Sequence, residues 1–298
     1  MMRKTKRFTP DLLDRYQKIG RGLGIYEHYI PFHRVGRSDP SSIGRSHLQM
    51  WRGRQREFLS DGEWIGFQFS TMLQNVTDIR EQFPLQYENS KHELFSYNVG
   101  YGGIFPGTRQ IAQDLGFKHP RLNGNGRSAN WVMTTDLLLT LSRPDGSFYL
   151  LAIAHKPNTS LDKERTKQLL NIERTYWNAR GVEWLLITPD DYLREVAFTL
   201  RNSIPWALGT AADNEQLNYV TKKIHDFEGY SLTTCLCAFA AVFGSMDLAQ
   251  RAFWQSVWSG KILLDLTRGW RPHLPIVLIS HEEFKNFNPI AIRRTSWR

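Results

Sequence analysis

Hydrophobic and polar positions along this chain change period several times, and the clearest pattern lies between residues 131 and 157. Residues 133–141 and 148–154 are apolar runs of strand length. Pro144, Asp145 and Gly146 separate the two runs. This trio favours a tight turn, because Pro fixes one backbone angle and Gly accepts a positive one. The pattern predicts a β-hairpin.

A helix and a further strand are predicted after the hairpin. Residues 161–180 place Leu169, Ile172 and Tyr176 at helical spacing, and Gly181 ends the segment. Residues 182–188 have the pattern of a buried strand. Strand, helix and strand in this order form a right-handed crossover, which places the last strand parallel to the second strand of the hairpin. The expected fold class is therefore α/β with a mixed sheet.

The rest of the pattern predicts a different architecture towards the C-terminus. Residues 10–20 fit a short helix, 76–85 a strand and 108–115 a helical turn, whereas 88–107 and 121–128 are predicted as loops. From about residue 205 three helices are followed by strands at 261–266 and 274–279, which is the order of a winged-helix module. Such modules bind DNA or dock proteins, and the low net charge of this one leaves both roles open.

Two charged residues interrupt the apolar strands of the hairpin. Asp136 lies in MTTDLLL, and Lys156 ends LLAIAHK. Side chains alternate along a strand, so Ala154 and Lys156 point one way and His155 the other, and a carboxylate on one strand can face the Lys on the next. This is the D…(E/Q)xK geometry of metal-dependent nucleases of the restriction-endonuclease-like class, in which the carboxylate holds Mg²⁺ and the Lys stabilises phosphoryl charge. A salt bridge at the strand ends is the commoner alternative.

A third charged residue, Glu63, opens a predicted amphipathic helix. Ser60 and Glu63 have capping-box spacing, and the apolar run WIGFQFSTML follows. Helix capping is a sufficient reason for Glu63. A carboxylate in the first turn of this helix can also reach a metal beside Asp136, and the two roles are compatible.

Positive charge is concentrated near the N-terminus. The 298-residue chain has a net charge of +9, of which residues 1–60 carry +8, with 13 Lys and Arg against 5 Asp and Glu. Such a segment indicates a polyanionic partner, most simply nucleic acid, with a solvated flexible arm as the alternative. The best candidates for contact with the DNA backbone are Arg45, His47, Arg52, Arg54 and Arg56.

The expected location is the cytoplasm, with no membrane partner. No apolar run approaches the roughly 20 residues that span a bilayer, and MMRKTKRF lacks the apolar stretch of a secretion signal. The two cysteines, Cys235 and Cys237, suit neither a disulfide nor a zinc site without further ligands. They are predicted to be core thiols.

Longer stretches of the chain resemble a known family. They are GRSH at 44–47, LSDGE at 59–63, DIREQFPL at 78–85, TRQIAQDLGFKHP at 108–120, VMTTD at 132–136, HKP at 155–157 and ERTKQLLNIERTYW at 164–177. In these stretches the chain resembles the TnsA family, the endonuclease subunits of transposons of the Tn-seven type. The resemblance covers most of residues 40–190, whereas the C-terminal third is similar only in its winged-helix-like pattern.

The resemblance implies that Glu63, Asp136 and Lys156 are catalytic in a restriction-endonuclease-like domain. It implies nicking of double-stranded DNA at the 5′ ends of the transposon with Mg²⁺, for which Mn²⁺ substitutes. It also implies two protein partners, the DDE-type transposase TnsB, which cuts and joins the 3′ ends, and the AAA+ ATPase TnsC. One position departs from the family, which carries Gln two residues before the catalytic Lys, where this chain has Ala154. We then expect Glu63, Asp136 and the backbone carbonyl of His155 to hold the metal.

These observations define an expected organisation and function. A basic DNA-contacting segment is expected at 1–58, a restriction-endonuclease-like catalytic domain at 59–204 and a winged-helix-like domain at 205–298. The expected function is the endonuclease subunit of a heteromeric, cut-and-paste transposase. The alternative is a weakened or inactive nuclease fold that bridges DNA and the ATPase, which Ala154 favours and the intact Glu63, Asp136 and Lys156 oppose. A standalone restriction or repair nuclease is a third hypothesis.

Overall fold

The chain folds into two compact units in a computed structural model that describes residues 8–36, 39, 45–268 and 270–297. The described residues up to 64, together with 75–188 and 296–297, form unit 1. The described residues among 65–74 and 189–295 form unit 2. Five of the basic residues counted in the N-terminal segment lie outside the described residues, namely Arg3, Lys4, Lys6, Arg7 and Arg37.

Unit 1 is built on a four-stranded mixed sheet. The strands of unit 1, in the main sheet and in three two-stranded sheets, are β1 (His47–Trp51), β2 (Arg54–Phe58), β3 (Val76–Pro84), β4 (Ser90–Lys91), β5 (Ile104–Phe105), β6 (Arg121–Gly124), β7 (Arg127–Asn130), β8 (Thr134–Ser142), β9 (Phe148–His155) and β10 (Glu183–Ile187). The order in the main sheet is β10-β9-β8-β3. The β3/β8 and β8/β9 pairs are antiparallel and the β9/β10 pair is parallel. The predicted α/β class with a mixed sheet is confirmed.

Helix packing closes one face of this sheet. The helices that lie wholly or partly in unit 1 are α1 (Pro10–Lys18), α2 (Asp61–Thr71), α3 (Thr108–Asp114), α4 (Asn158–Leu161) and α5 (Glu164–Ala179), with 3-10 turns at Tyr26–His28 and Glu93–Ser96. Leu170, Tyr176 and Trp177 of α5 belong to the same buried cluster as Leu138 of β8 and Ala152 of β9. Because α5 connects β9 to β10, its packing holds the ends of these strands in place.

Residues 88–107 are mostly irregular backbone, as predicted for a loop, with only the two-residue strands β4 and β5 and one 3-10 turn, whereas the prediction of a loop at 121–128 is corrected. Within the first segment Glu93 is buried and its carboxylate lies 3.0 Å from the Arg180 guanidinium. The second segment forms the β6–β7 hairpin, whose turn residues Asn125 and Gly126 have φ angles of 51° and 72°. Two positive φ angles match the right-handed twist of a two-residue hairpin, and Asn-Gly is its strongest sequence signal. That signal is present in NGNGRS and identifies the hairpin.

Unit 2 is helical. Its helices are α6 (Arg194–Ala207), α7 (Asn214–Lys223), α8 (Leu232–Phe243), α9 (Met246–Trp258) and α10 (His281–Asn286), with 3-10 turns at Pro189–Asp191, Ile224–Phe227 and Leu266–Arg268. Helix α9 packs against α6, α7 and α8. The strands predicted at 261–266 and 274–279 are reduced, in the described residues, to isolated bridges such as Leu264 with Leu278. The winged-helix assignment therefore stays a prediction.

The expected boundary at residues 204/205 is corrected, because it falls inside α6. The Thr199 hydroxyl of α6 donates to the Leu266 carbonyl at 3.1 Å, which ties this helix to unit 2. Residues 65–74 also join unit 2, where the Asn288 amide donates to the Phe69 carbonyl at 2.8 Å. The first residues of α2, including Glu63, remain in unit 1.

Two smaller expectations concern the cysteines and membrane spans. Cys235 is buried, but Cys237 is exposed, which corrects the prediction of two core thiols. No single helix in the described part of the chain has the length and apolar character needed to cross a bilayer; Leu232–Phe243 and Met246–Trp258 reach them only together, across a bend of 117°.

Candidate active site

The structure places Asp136 and Lys156 in contact where β8 and β9 separate. The Lys156 ammonium donates to the Asp136 carboxylate at 3.2 Å and to the His155 carbonyl at 2.8 Å. The His155 backbone N–H donates to the same Asp136 oxygen, Oδ2, at 2.7 Å. Asp136 is buried, whereas the Lys156 side chain is 31% exposed. The Lys156 ammonium is therefore partly accessible to solvent, whereas the carboxylate that it contacts is buried.

Glu63 lies in the first turn of α2 and its carboxylate is fully engaged. The Leu59 backbone N–H donates to one oxygen at 2.8 Å, and the Ser60 hydroxyl donates to the other at 3.0 Å. The Glu63 backbone N–H in turn donates to the Ser60 hydroxyl at 3.2 Å. The predicted capping interaction is present, and it holds the carboxylate in a single orientation.

Gln82 of β3 joins the two carboxylates, and sequence reasoning missed it. Its amide nitrogen donates to Glu63 at 3.0 Å and lies 3.5 Å from Asp136. Gln82 is buried and has a φ of 48°, in the left-handed region that a Gln seldom adopts. Such strain is kept where surrounding contacts over-determine it, and it is typical of functional sites. A polar residue inside a strand is the only signal in the sequence.

The electrostatics of the site favour the binding of a further cation. Burial, reinforced by the nearby Asp136 charge, raises the pKa of Glu63 to about 7. Burial alone would lower the pKa of Lys156, but the attraction of Asp136 and of Glu173 exceeds that effect, and the pKa is raised. Lys156 is therefore charged at neutral pH. Because Glu63 and Asp136 are buried near a single cation, Lys156, a further positive charge would reduce the repulsion between the two carboxylates.

Glu173 of α5 is a second residue that sequence reasoning missed. It is buried, and it accepts hydrogen bonds from the Thr135 hydroxyl at 2.9 Å and the Trp184 indole at 3.2 Å. Burial, followed by the Asp136 charge, raises its pKa to about 7. The signal was a Glu among the apolar positions of the predicted helix, adjacent to Ile172, where a charged side chain is seldom found unless paired.

The donor set at this site is suited to a hard divalent cation. In the described residues no cluster of three or more His, Cys, Asp or Glu is placed to hold a metal. Two carboxylates nevertheless converge on a single amide N–H group, and a backbone carbonyl lies beside them. Mg²⁺ takes oxygen ligands and retains several waters, so a set of few protein ligands fits it. Ala154 is completely buried and contributes no ligand.

Comparison with known proteins gives the family of the chain. A family model described as TnsA-like endonuclease N terminal matches residues 73–189, a range that contains Asp136 and Lys156 and begins after Glu63. The transposition protein TnsA of transposon Tn7 from Escherichia coli is 35% identical over 208 residues. The chain belongs to the TnsA family. The alignment covers 69% of this chain and 65% of the relative, so the chain spans slightly less than two thirds of that protein.

For this TnsA-family chain the structure corrects the DNA-contact hypothesis at two residues. Arg54 and Arg56 of β2 are buried, and both lie against the buried Glu81, with Arg54 at 2.6 Å. A guanidinium enclosed in this way cannot reach a phosphate, because the residues that balance its charge also exclude the ligand. Both arginines belong to the core of unit 1.

The other three residues of that segment are accessible to different degrees. Arg45 is exposed and lies 3.3 Å from Asp61, and the His47 ring lies 2.7 Å from the same carboxylate. Arg52 is exposed but donates to the Thr77 carbonyl at 2.7 Å. Arg45, His47 and Arg52 remain candidates for DNA contact.

Proposed function

We propose that this protein is the DNA endonuclease subunit of a heteromeric transposase. The observation that carries the proposal is the convergence of Glu63, Asp136 and Lys156 from three separate places in the sequence onto one strand-end site of unit 1. The family membership supports the same reaction class, hydrolysis of a phosphodiester. The reaction leaves a 3′-hydroxyl and a 5′-phosphate at the 5′ ends of the transposon.

The chain's own residues divide the chemical work. Glu63, Asp136 and the His155 carbonyl would hold Mg²⁺, or Mn²⁺ in its place, and the ion would supply a polarised phosphoryl oxygen and an activated water. Lys156 carries its charge at neutral pH and stabilises the negative charge that develops on the scissile phosphate. Gln82 fixes the separation of the two carboxylates, and the His155 N–H fixes the orientation of Asp136. This pre-ordering lowers the cost of reaching the reactive geometry.

The proposed partners follow from the family and from the site. They are double-stranded DNA at the transposon ends, a TnsB-like transposase that processes the 3′ ends and a TnsC-like ATPase. Arg45, His47 and Arg52 are proposed to contact the DNA backbone outside the site. Unit 2 is proposed to dock the ATPase, since its predicted winged-helix order suits either protein or DNA binding.

The proposal is tested by Asp136→Ala in a reconstituted reaction with transposon ends and both partners. We expect loss of 5′-end nicking with assembly intact, so that products shift from simple insertions to cointegrates. Asp145→Ala, which removes an exposed carboxylate at the turn between β8 and β9, is the matched control and should leave nicking unchanged. Normal simple insertions from Asp136→Ala would exclude this residue from the reaction.

The alternative of an inactive adaptor is tested by the unaltered protein in the same reaction. It predicts that the chain assembles with DNA and the ATPase but gives no 5′ nick with Mg²⁺ or Mn²⁺ at any concentration. Burial of Ala154, which leaves no amide at that position, is the observation that favours it. A nick that requires both a divalent ion and Lys156 would exclude it.

A further inference from the structure

Two clefts of unit 1 meet at Pro120 and Arg121. The first has a volume of about 430 Å³ and contains Lys156 and Glu173 of the candidate active site. The second has a volume of about 630 Å³ and is here called the basic cleft. It is lined by Lys118, His119, Pro120, Arg121, Asn123, Ser128, Arg165 and Gln168. Because the clefts share these two lining residues, the basic cleft lies next to the cleft that contains Lys156.

The charge of the basic cleft is uniformly positive. Lys118, Arg121 and Arg165 are exposed, and no Asp or Glu is among the residues that line the cleft. Neither Lys118 nor Arg121 makes a salt bridge with any residue that the structure describes. Burial lowers the pKa of His119, so this ring is neutral at pH 7 and adds no fourth charge. The remaining lining groups are a hydroxyl and amides, which are suited to phosphate oxygens.

The walls of the basic cleft are fixed before any ligand arrives. On one side the Arg165 guanidinium donates to the Lys118 carbonyl at 2.7 Å and to the Gln168 amide oxygen at 3.1 Å, which holds it against the cleft. The opposite wall is the β6–β7 hairpin. Leu122 of this hairpin is buried in the cluster formed by α1 and the N-terminal segment.

The hairpin is also tied to α1 by charge and by close packing. Arg127 lies 2.7 Å from Asp11 and 2.9 Å from Asp14. A Cβ atom at Gly124 would lie 2.8 Å from the Thr9 side chain, so the two segments touch there and only Gly fits. The two arginines of the hairpin thus differ in function. Arg127 is neutralised by α1, whereas Arg121 keeps its charge for a ligand.

We propose that the basic cleft binds the phosphates of the DNA strand that continues from the scissile phosphate at Lys156. Three positive charges in a cleft next to the active site match the repeated single charges of a nucleic acid backbone. Arg presents a planar fork to phosphate oxygens, which suits Arg121 and Arg165 to this contact. The inference rests on the proposed nuclease function, because that function places a phosphate at Lys156.

The test measures binding without cleavage. Full-length chains carrying Asp136→Ala are titrated against a fluorescent duplex, without divalent metal, at several salt concentrations. Adding Arg121→Gln should weaken binding about tenfold, the effect of one charge-assisted contact of about 1.4 kcal/mol. It should also reduce the slope of log K against log salt by about one, since one phosphate contact is lost. Arg165→Gln is expected to act in the same way.

Arg143→Gln is the matched control. Arg143 is exposed and lies in the turn that joins β8 and β9, at the opposite ends of these strands from Asp136 and His155. The same change in net charge there should leave both the affinity and the salt slope unchanged. Equal effects of Arg121→Gln and Arg143→Gln would overturn the inference, because they would reflect net charge alone. Unchanged binding by Arg121→Gln would also overturn it and would leave an acidic protein segment as the occupant.

A photo-crosslinker supplies a second readout that does not depend on affinity. Asn123 and Ser128 line the cleft and are exposed, so a benzoylphenylalanine placed at either position is compatible with the fold. Crosslinks should map to one strand on one side of the nicked position. Crosslinks spread over both strands would contradict the proposed path. The binding assay distinguishes failure of this inference from failure of the proposed nuclease function. A chain that binds DNA through Arg121 but never nicks it would support DNA binding by the basic cleft and contradict the nuclease function.

Discussion

At the residue scale, the candidate site is defined by the groups that contact its buried carboxylates. Glu63 and Asp136 are both buried, and Gln82 is the polar group that lies between them. Ala154 is also buried, so the amide that the resemblance places at that position is replaced by a methyl group inside the core. The one amide of the site thus comes from β3. The structure therefore assigns to Gln82 a positioning function that the Ala154 position cannot provide.

Gln82→Met tests this positioning function by removing the amide while preserving most of the side-chain volume. In EDTA we expect the free energy of unfolding to fall by about 1–3 kcal/mol, because two buried carboxylates lose a shared donor. In saturating Mg²⁺ the deficit should shrink, since a cation then replaces that donor. Chemical denaturation under both conditions measures the difference, with the exposed Gln55→Met as control. An equal deficit with and without Mg²⁺ would argue against the function of Gln82 between the carboxylates.

Glu173→Gln tests the burial of the second acidic group through pH. The pKa of Glu173 is raised to about 7 from its ordinary value of 4.5, so the folded chain retains a proton that the unfolded chain releases. This stabilising contribution is complete below pH 4.5 and is lost as the pH rises through about 7. The Gln variant stays neutral, so its thermal midpoint should decline less between about pH 5 and about pH 8. Glu164→Gln, at the exposed start of α5, should follow the unaltered chain; identical pH profiles for Glu173→Gln and the unaltered chain would refute the assignment.

At the element scale, the β1–β2 hairpin and β3 share a buried ionic cluster. Arg54 and Arg56 of β2 enclose the carboxylate of Glu81, and Arg56 also lies 3.7 Å from Asp78. Arg80 and Asp78 of β3 are buried as well. Charged residues in a strand with both faces covered must be paired, because an unpaired buried charge is strongly unfavourable. Arg54 and Arg56, which are close in sequence, therefore stabilise the packing of β2 against β3.

Arg56→Met should therefore destabilise the fold and leave DNA contact unaffected. Removing one member of a buried ionic cluster is expected to lower the free energy of unfolding by about 3 kcal/mol. Urea denaturation measures this cost, and the salt dependence of duplex binding is measured on the same folded protein. Arg52→Met, an exposed change in the same hairpin, should cost far less stability. A stable Arg56→Met variant with a reduced salt slope would restore the DNA-contact hypothesis for Arg56.

At the scale of the whole molecule, each unit is assembled from segments that are distant in sequence. Unit 1 is completed by residues near the C-terminus, where the Ser296 N–H donates to the Leu186 carbonyl at 2.8 Å. The Trp297 ring packs edge-on against Trp184 at 5.6 Å. A chain ending near Arg201 would therefore lack part of unit 1 and would also end inside α6.

Trp297→Ala tests whether this late segment stabilises unit 1. We expect a loss of about 1–2 kcal/mol from the partly buried ring. Hydrogen exchange should show faster opening of β10, because the residues that cover it have been weakened. Phe198→Ala, an exposed aromatic of unit 2, is the control and should leave β10 exchange unchanged. Unaltered protection of β10 in Trp297→Ala would show that unit 1 does not depend on this segment.

The sequence by itself determined the elements with strong local signals. Turn chemistry and apolar runs predicted the β8–β9 hairpin, the crossover helix α5 and the parallel strand β10, and all three are present. The spacing of Ser60 and Glu63 predicted a capping interaction that the structure contains. Alternation along the hairpin placed Asp136 and Lys156 near one another, and they form a 3.2 Å contact. These features depend on residues close in sequence, so one amino-acid sequence is enough to identify them.

Only the tertiary structure decided which polar residues are enclosed and which remain accessible. Arg54 and Arg56 read as a basic patch, yet they are buried by contact with Glu81, 25 or more residues away. Gln82 and Glu173 reach the site from β3 and α5, and their sequence neighbours do not reveal it. The division of α2 between the two units has the same origin. Burial depends on partners brought together by folding, and the energetic cost of a buried charge depends on those partners.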